Sequence, residues 1–167
     1  MGCVVIYGGE VSLIHNTIAQ FYSIDRDKFA RAALSFANYS DTHTYPLNLE
    51  VKNCIITGFA IDHVKKEKND SIAFNYHFYN SLLRTEVKDT ASAKYYENII
   101  WENVKDVKDT TSIGGKNFVL VDTHLLRFDF HLDSLSKANG AADARWMLPL
   151  NREGVARDEK KVNMGCY

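Results

Sequence analysis

The stretch LEVKNCIITG, residues 49–58, decides the reading of the fold. In it a polar Lys52 and then Asn53 are followed by one variable residue and an apolar run. The same form returns in HNTIA (15–19), YNSLL (79–83) and ENIIW (97–101). The four asparagines, Asn16, Asn53, Asn80 and Asn98, stand 37, 27 and 18 residues apart. A constant string at unequal spacing is what a solenoid gives when every rung turns at the same place and loops of different length bulge outward between turns. Asparagine suits such a turn because it tolerates the left-handed backbone conformation. Its amide both donates and accepts, so one rung's Asn can bond the next. The pattern predicts an all-β solenoid with a structural ladder at Asn16, Asn53, Asn80 and Asn98. It also predicts that Ile18, Ile55, Leu82 and Ile99 stack inside the coil.

Between these strings lie further strand candidates: AALSFA (32–37), AFNYHFYN (73–80), NFVLVD (117–122) and LRFDFHLD (126–133). Ile24 to Leu34 is the best helical stretch, and KKEKND (65–70) reads as a solvated loop because its charges balance. Rungs are expected over 1–133 and a C-terminal tail or cap of the same domain over 134–167. A compact β-sandwich is the rival fold; it would pair the strands antiparallel.

The totals narrow the function classes. At 167 residues the chain fits one domain. Lys and Arg number 20 against 21 Asp and Glu, for a net charge of −1. That balance gives no electrostatic case for nucleic acid. No run approaches the roughly 20 apolar residues that span a bilayer. Cys3, Cys54 and Cys166 have no metal or disulfide spacing. No cofactor and no metal site is expected.

The closing segment, with Gly154, Arg157, Met164, Gly165, Cys166 and Tyr167, resembles the end of the right-handed parallel β-helix repeat proteins found on Bacteroidetes cell surfaces. SLIHNTIAQFYS, LEVKNCIITG and AFNYHFYNSLLRTE resemble their last rungs. Lys137, Asn139, Ala142, Asn151 and Asn163 depart from that family's ending pattern. The resemblance implies a right-handed parallel β-helix, a cell-surface or extracellular location, and a non-catalytic scaffold or glycan-binding module. The alternative is the C-terminal part of a polysaccharide lyase or glycoside hydrolase whose active residues lie on upstream rungs.

Candidate chemistry is sparse. Asp129, His131 and Asp133 share one strand face at a spacing of two, a set that could serve acid–base catalysis. The bland reading is a solvated strand face. Tyr39 and Tyr45, on the polar loop 38–46, could stack on sugar rings. Trp101 and Trp146 are expected in the core or over the ends of the solenoid. Partners are expected to be a glycan or another surface protein. Residues 3–7, CVVIY, bring no polar cap, so upstream rungs or another chain are expected to cover the N-terminal end.

Overall fold

The computed structural model describes residues 3–21, 32–59, 63–85, 92–102 and 117–167. Eleven strands in chain order lie in three parallel sheets. They are β1 (Val4–Tyr7), β2 (Gly9–Ile14), β3 (Thr17–Gln20), β4 (Leu34–Ala37), β5 (Leu47–Lys52), β6 (Ile55–Gly58), β7 (Val64–Glu67), β8 (Phe74–Tyr79), β9 (Leu82–Leu83), β10 (Tyr96–Glu97) and β11 (Ile100–Trp101). The first sheet is β1-β4-β7, the second β10-β8-β5-β2 and the third β11-β9-β6-β3. Through β9 each sheet takes every third strand, so three successive passes of the chain visit the three sheets in the same order; β10 and β11 then extend the second and third sheets. Two further strands, β12 (Phe118–Asp122) and β13 (Arg127–Leu132), pair antiparallel with each other. The described chain is all-β with only short 3-10 turns, a solenoid-like class. The parallel pairing of β1 to β11 excludes the sandwich. Among the described residues the last parallel pair is Trp101 with Leu83, and 118–132 form the antiparallel hairpin.

Two sequence expectations change locally. Lys65–Glu67 belong to β7 rather than to a loop, and they stay exposed because that strand turns only Val64 inward. Leu34 opens β4, whereas 24–31 of the expected helix lie outside the described residues.

Leu34 and Phe36 of the first sheet, Leu49, Val51 and Phe78 of the second, and Ile18, Ile56 and Leu83 of the third share one core. In the second sheet the pleat sends alternate residues in and out, and β5 reads buried, exposed or half-buried in strict turn. The third sheet behaves differently. All four residues of β6 are buried. Ile56 meets the shared core, while Ile55 and Leu82 face the other way into a second core with Phe21, Phe118, Ala138 and Met164. The stack expected inside therefore divides. Thr17, Ile55, Leu82 and Ile100 align in one row, and Ile18, Ile56, Leu83 and Trp101 in the next. Only the second row starts from the shared core. Ile99 precedes both rows, one position before Ile100.

The ladder shifts by one residue at its start. Ile14 pairs with Lys52, Lys52 with Tyr79, and Tyr79 with Glu97. The next position in each pass is the turn, occupied by His15, Asn53, Asn80 and Asn98. All four have positive φ, between 43° and 54°. His15, not Asn16, begins the left-handed row. Asn16 stands beside Cys54 and Ser81, where its N–H meets Cys54 Sγ at 3.3 Å and the Cys54 N–H donates to Ser81 Oγ at 3.0 Å. The two neighbouring residues of HNTIA can each fill a polar turn position, so the string alone does not fix which of them turns.

The C-terminal tail lies along the outer side of the third sheet rather than over the last pass. Met164 N–H donates to Ala138 O, Gly165 N–H to Asn53 O at 2.8 Å, and Cys166 N–H to Thr17 Oγ1 at 3.2 Å. Gly165 has φ 80°, and a Cβ there would come within 2.5 Å of Thr17 Oγ1 and 2.9 Å of Ile55 Cδ1. Only glycine lets the tail lie this close. Arg157 fastens the last turn, donating to Tyr167 O and Gly165 O at 3.0 Å each.

Candidate functional site

The outward residues of the second sheet form columns. Glu10, Asn48 and Asn75 align, then Ser12, Glu50 and His77, then Ile14, Lys52 and Tyr79. The strand register places them, because a pleat of period two leaves every other residue of β2, β5 and β8 facing out. Asn48, Glu50, Asn75, His77 and Tyr79 line an open cleft of about 410 Å³, together with Lys94 and Tyr95 beside β10. The rings of His77 and Tyr79 stack nearly parallel, 4.0 Å apart. His77 Nε2 is buried and has no hydrogen-bond partner among the described residues.

The tail extends this face. Trp146, in the 3-10 turn Ala144–Trp146, packs on Tyr79 with ring centroids 4.9 Å apart. Lys52 Nζ lies 5.4 Å from the Trp146 ring and donates to Glu50 Oε2 at 2.6 Å. The Arg145 guanidinium covers Trp146 at 5.0 Å. The result is a run of flat rings, His77, Tyr79 and Trp146, edged by amides and paired charges.

Asn53 holds the turn in place. Its Oδ1 accepts the Asp143 N–H at 2.8 Å and its Nδ2 donates to Asp143 O at 2.9 Å. The Asp143 carboxylate caps the turn through Arg145 N–H at 2.8 Å and pairs with the Arg145 guanidinium at 2.6 Å. Those bonds hold the Asp143 carboxyl below its usual pKa. Asn53 also meets His15 Nε2 at 3.1 Å, and His15 Nδ1 meets Gly165 O at 3.2 Å. Burial, helped by the charge of Arg157, lowers the His15 pKa to about 4. The Asn53 amide is thus satisfied by the tail rather than by a neighbouring ladder residue of the same type, and Asn80 Oδ1 is buried with no partner among the described residues.

Of the acidic strand candidates, two meet. His131 Nδ1 lies 2.6 Å from Asp129 Oδ1, and His131 Nε2 lies 3.3 Å from Glu153 Oε2. The Tyr167 ring packs on the imidazole at 4.1 Å. The hydrogen bonds lower the Asp129 pKa, and the bond to Asp129 chiefly raises that of His131. Asp133 stays apart and accepts Leu135 N–H at 2.8 Å in a turn. Glu153 and Tyr167 were not legible partners, because they lie more than about 20 residues beyond His131 along the chain. The group is exposed and holds no nucleophile between acid and base. It fastens the tail to the hairpin.

Tyr39 and Tyr45 do not form a joint ring surface. Tyr39 Oη donates to Glu67 Oε2 at 3.0 Å, which raises its pKa. Tyr45 lies beside His43 at 6.0 Å. Trp101 is 39% exposed and packs edge-on to Tyr96. A buried polar group, in which Glu102 accepts from Thr57 Oγ1 at 2.7 Å and from Asn117 Nδ2 and lies 3.7 Å from Arg84, ties β6 and β9 to the hairpin. Burial raises the Glu102 pKa. Among the described residues no three His, Cys, Asp or Glu side chains are placed to hold a metal ion. No helix among them is long and apolar enough to cross a membrane.

No family model matches the chain, and neither a curated protein nor a solved structure matches it.

Proposed function

We propose that the three parallel sheets are the walls of one right-handed parallel β-helix, and that the outer face of its second sheet binds glycan without turning it over. The shared core of all three sheets and the repeated order of the passes support the closed coil. The observation that carries the binding reading is the ring run His77, Tyr79 and Trp146 beside an open cleft. Sugar rings present C–H faces that stack on aromatic faces, while amides such as Asn48 and Asn75 can bond their hydroxyls. Glu50 is the one carboxylate among the cleft's described lining residues, and it is paired with Lys52. Glycoside hydrolysis of the ordinary kind needs two carboxyl groups flanking the bond. The cleft suits recognition rather than cleavage. We place the module on the cell surface, a setting in which such a face meets polysaccharide.

Affinity electrophoresis through gels loaded with neutral glucan or with polygalacturonate tests the reading. The expected result is retardation in at least one gel, reduced about tenfold or more by Tyr79→Ala or Trp146→Ala with the fold intact. Equal mobility of wild type and both variants in every gel would count against binding. Release of reducing or unsaturated ends, abolished by Asp129→Asn or His131→Ala, would instead favour a polysaccharide-active enzyme.

A further inference from the structure

The position of Trp146 depends on a chain of bonds that tolerates only one protonation state of His15. Gly165 O can only accept, so the His15 nitrogen facing it, Nδ1, carries a proton. Asn53 cannot turn its amide over, because its Oδ1 accepts the Asp143 N–H and its Nδ2 donates to the Asp143 carbonyl. Nδ2 therefore also donates to His15 Nε2, which must be the bare nitrogen. Neutral His15 with its proton on Nδ1 is the form that satisfies both Gly165 O and the Asn53 amide. A second proton, on Nε2, would set two donors against each other inside a site where His15 is 3% exposed.

We propose that the His15–Asn53–Asp143 chain is an acid-operated release: protonation of His15 frees the Asp143–Trp146 turn and takes Trp146 off the face of the second sheet. As regulation of the binding face, this rests on the glycan-binding reading above. The route is short. Asn53 must swing away from the imidazolium and loses both bonds to Asp143. Asp143 caps the turn that carries Trp146, so the ring loses its anchor. Tyr79 and His77 remain, because they belong to β8. The face is complete at neutral pH and dismantled in acid.

The charged and titratable groups around His15 favour the neutral form. Arg157 opposes the imidazolium from the tail, Cys54 and Cys166 are thiols, and the Asp143 carboxylate is turned to Arg145. Burial and Arg157 set the change at about pH 4. The Gly165 and Asn163 carbonyls favour the imidazolium, but burial and Arg157 outweigh them.

The test needs no ligand. The chain has two tryptophans, so Trp101→Phe leaves Trp146 as the sole reporter. Its emission should shift with a midpoint near pH 4 while the far-ultraviolet dichroism of the β-structure stays constant. The His15 ring, followed by NMR, should titrate with the same midpoint. His15→Asn keeps an acceptor toward Asn53 and the tolerance for positive φ, but it cannot titrate; in it the emission should stay flat over the same range. A shift that survives in His15→Asn would overturn the proposal. So would a His15 titration that leaves Trp146 unmoved, or a Trp146 shift that coincides with loss of the β-structure. The NMR and emission comparison in the Trp101→Phe chain decides the matter even where His15→Asn fails to fold. Retardation in the polysaccharide gel should fall at least fivefold below the midpoint. No retardation at pH 7 would remove the binding reading and its regulation, while emission would still report the release.

Discussion

The outer faces of the second and third sheets are built from neighbouring strands, yet one is open and the other covered. Glu50 and Lys52 of β5 face out beside solvent. Three residues later, Ile55 of β6 faces out beneath Met164 and Phe118. The difference lies in pattern. Where polar and apolar residues alternate, one face is left for water or ligand. Where the run is continuously apolar, both faces need cover, and the chain must supply a second layer. The tail is that layer. The proposed function follows the same division, since the open face carries the rings while the tail carries the fastening that positions Trp146.

The contrast can be broken most severely at Ile55. Ile55→Asp puts a carboxylate between two apolar layers and should cost about 3 kcal/mol or more in urea unfolding. The matched change on the open face, Asn75→Ala at an exposed position of β8, should cost no more than about 0.5 kcal/mol, the range of an ordinary surface substitution. Comparable losses for the two would show that the third sheet is not covered. Met164→Ala sharpens the claim from the tail's side. A cavity under Ile55 should cost about 2–5 kcal/mol. It should also raise hydrogen exchange in residues 138–166 more than in β5 and β8. Asn53→Ala removes the amide that serves His15 and Asp143, for an expected loss of about 1–3 kcal/mol and a change in Trp146 emission at pH 7.

The smallest effects are electrostatic, and two histidines that contact the tail run in opposite directions. His15 has a folded pKa near 4, below its unfolded value near 6.5. Its contribution is whole above pH 6.5 and is lost as pH falls toward 4. The His131 pKa is raised instead, so its contribution is whole below pH 6.5 and is lost as pH rises through the folded value. In melting experiments His131→Asn should flatten the fall in melting temperature above neutrality. A His131→Asn profile that parallels wild type above pH 6.5 would show that the Asp129–His131–Glu153 contact adds nothing to tail docking.

Much of this was legible in the residues, and the failures have a common cause. Asn53, Asn80 and Asn98 announced the turn because the left-handed conformation restricts residue choice, and local backbone rules survive in local sequence. His15 took the place expected for Asn16 because a partner 150 residues away, Gly165, rewards a longer side chain there. The aromatic alternation of AFNYHFYN set Tyr76 and Phe78 inward and His77 and Tyr79 outward, as periodicity implies. Which outward residues would gather into a site was not legible, since Trp146 reaches Tyr79 only through the tail's path. Asp129 and His131 were visible as a pair, but Glu153 and Tyr167 give their contact its purpose. Ile55 and Leu82 were recognised as buried, not as facing away from the shared core. A strand with two dry faces reads the same from either side.

The tail's return to the first pass also sets a clock on the chain's making. A ribosome delivers β6 and β9 long before Met164, Gly165 and Cys166, and closing so long a loop is slow relative to pairing adjacent strands. Through that interval Ile55 and Leu82 stand bare on one side of a growing parallel sheet, the kind of apolar strand surface that recruits unwanted neighbours. Nascent chains halted before residue 160 should therefore attract holding chaperones, and release of the last few residues should end that attraction abruptly.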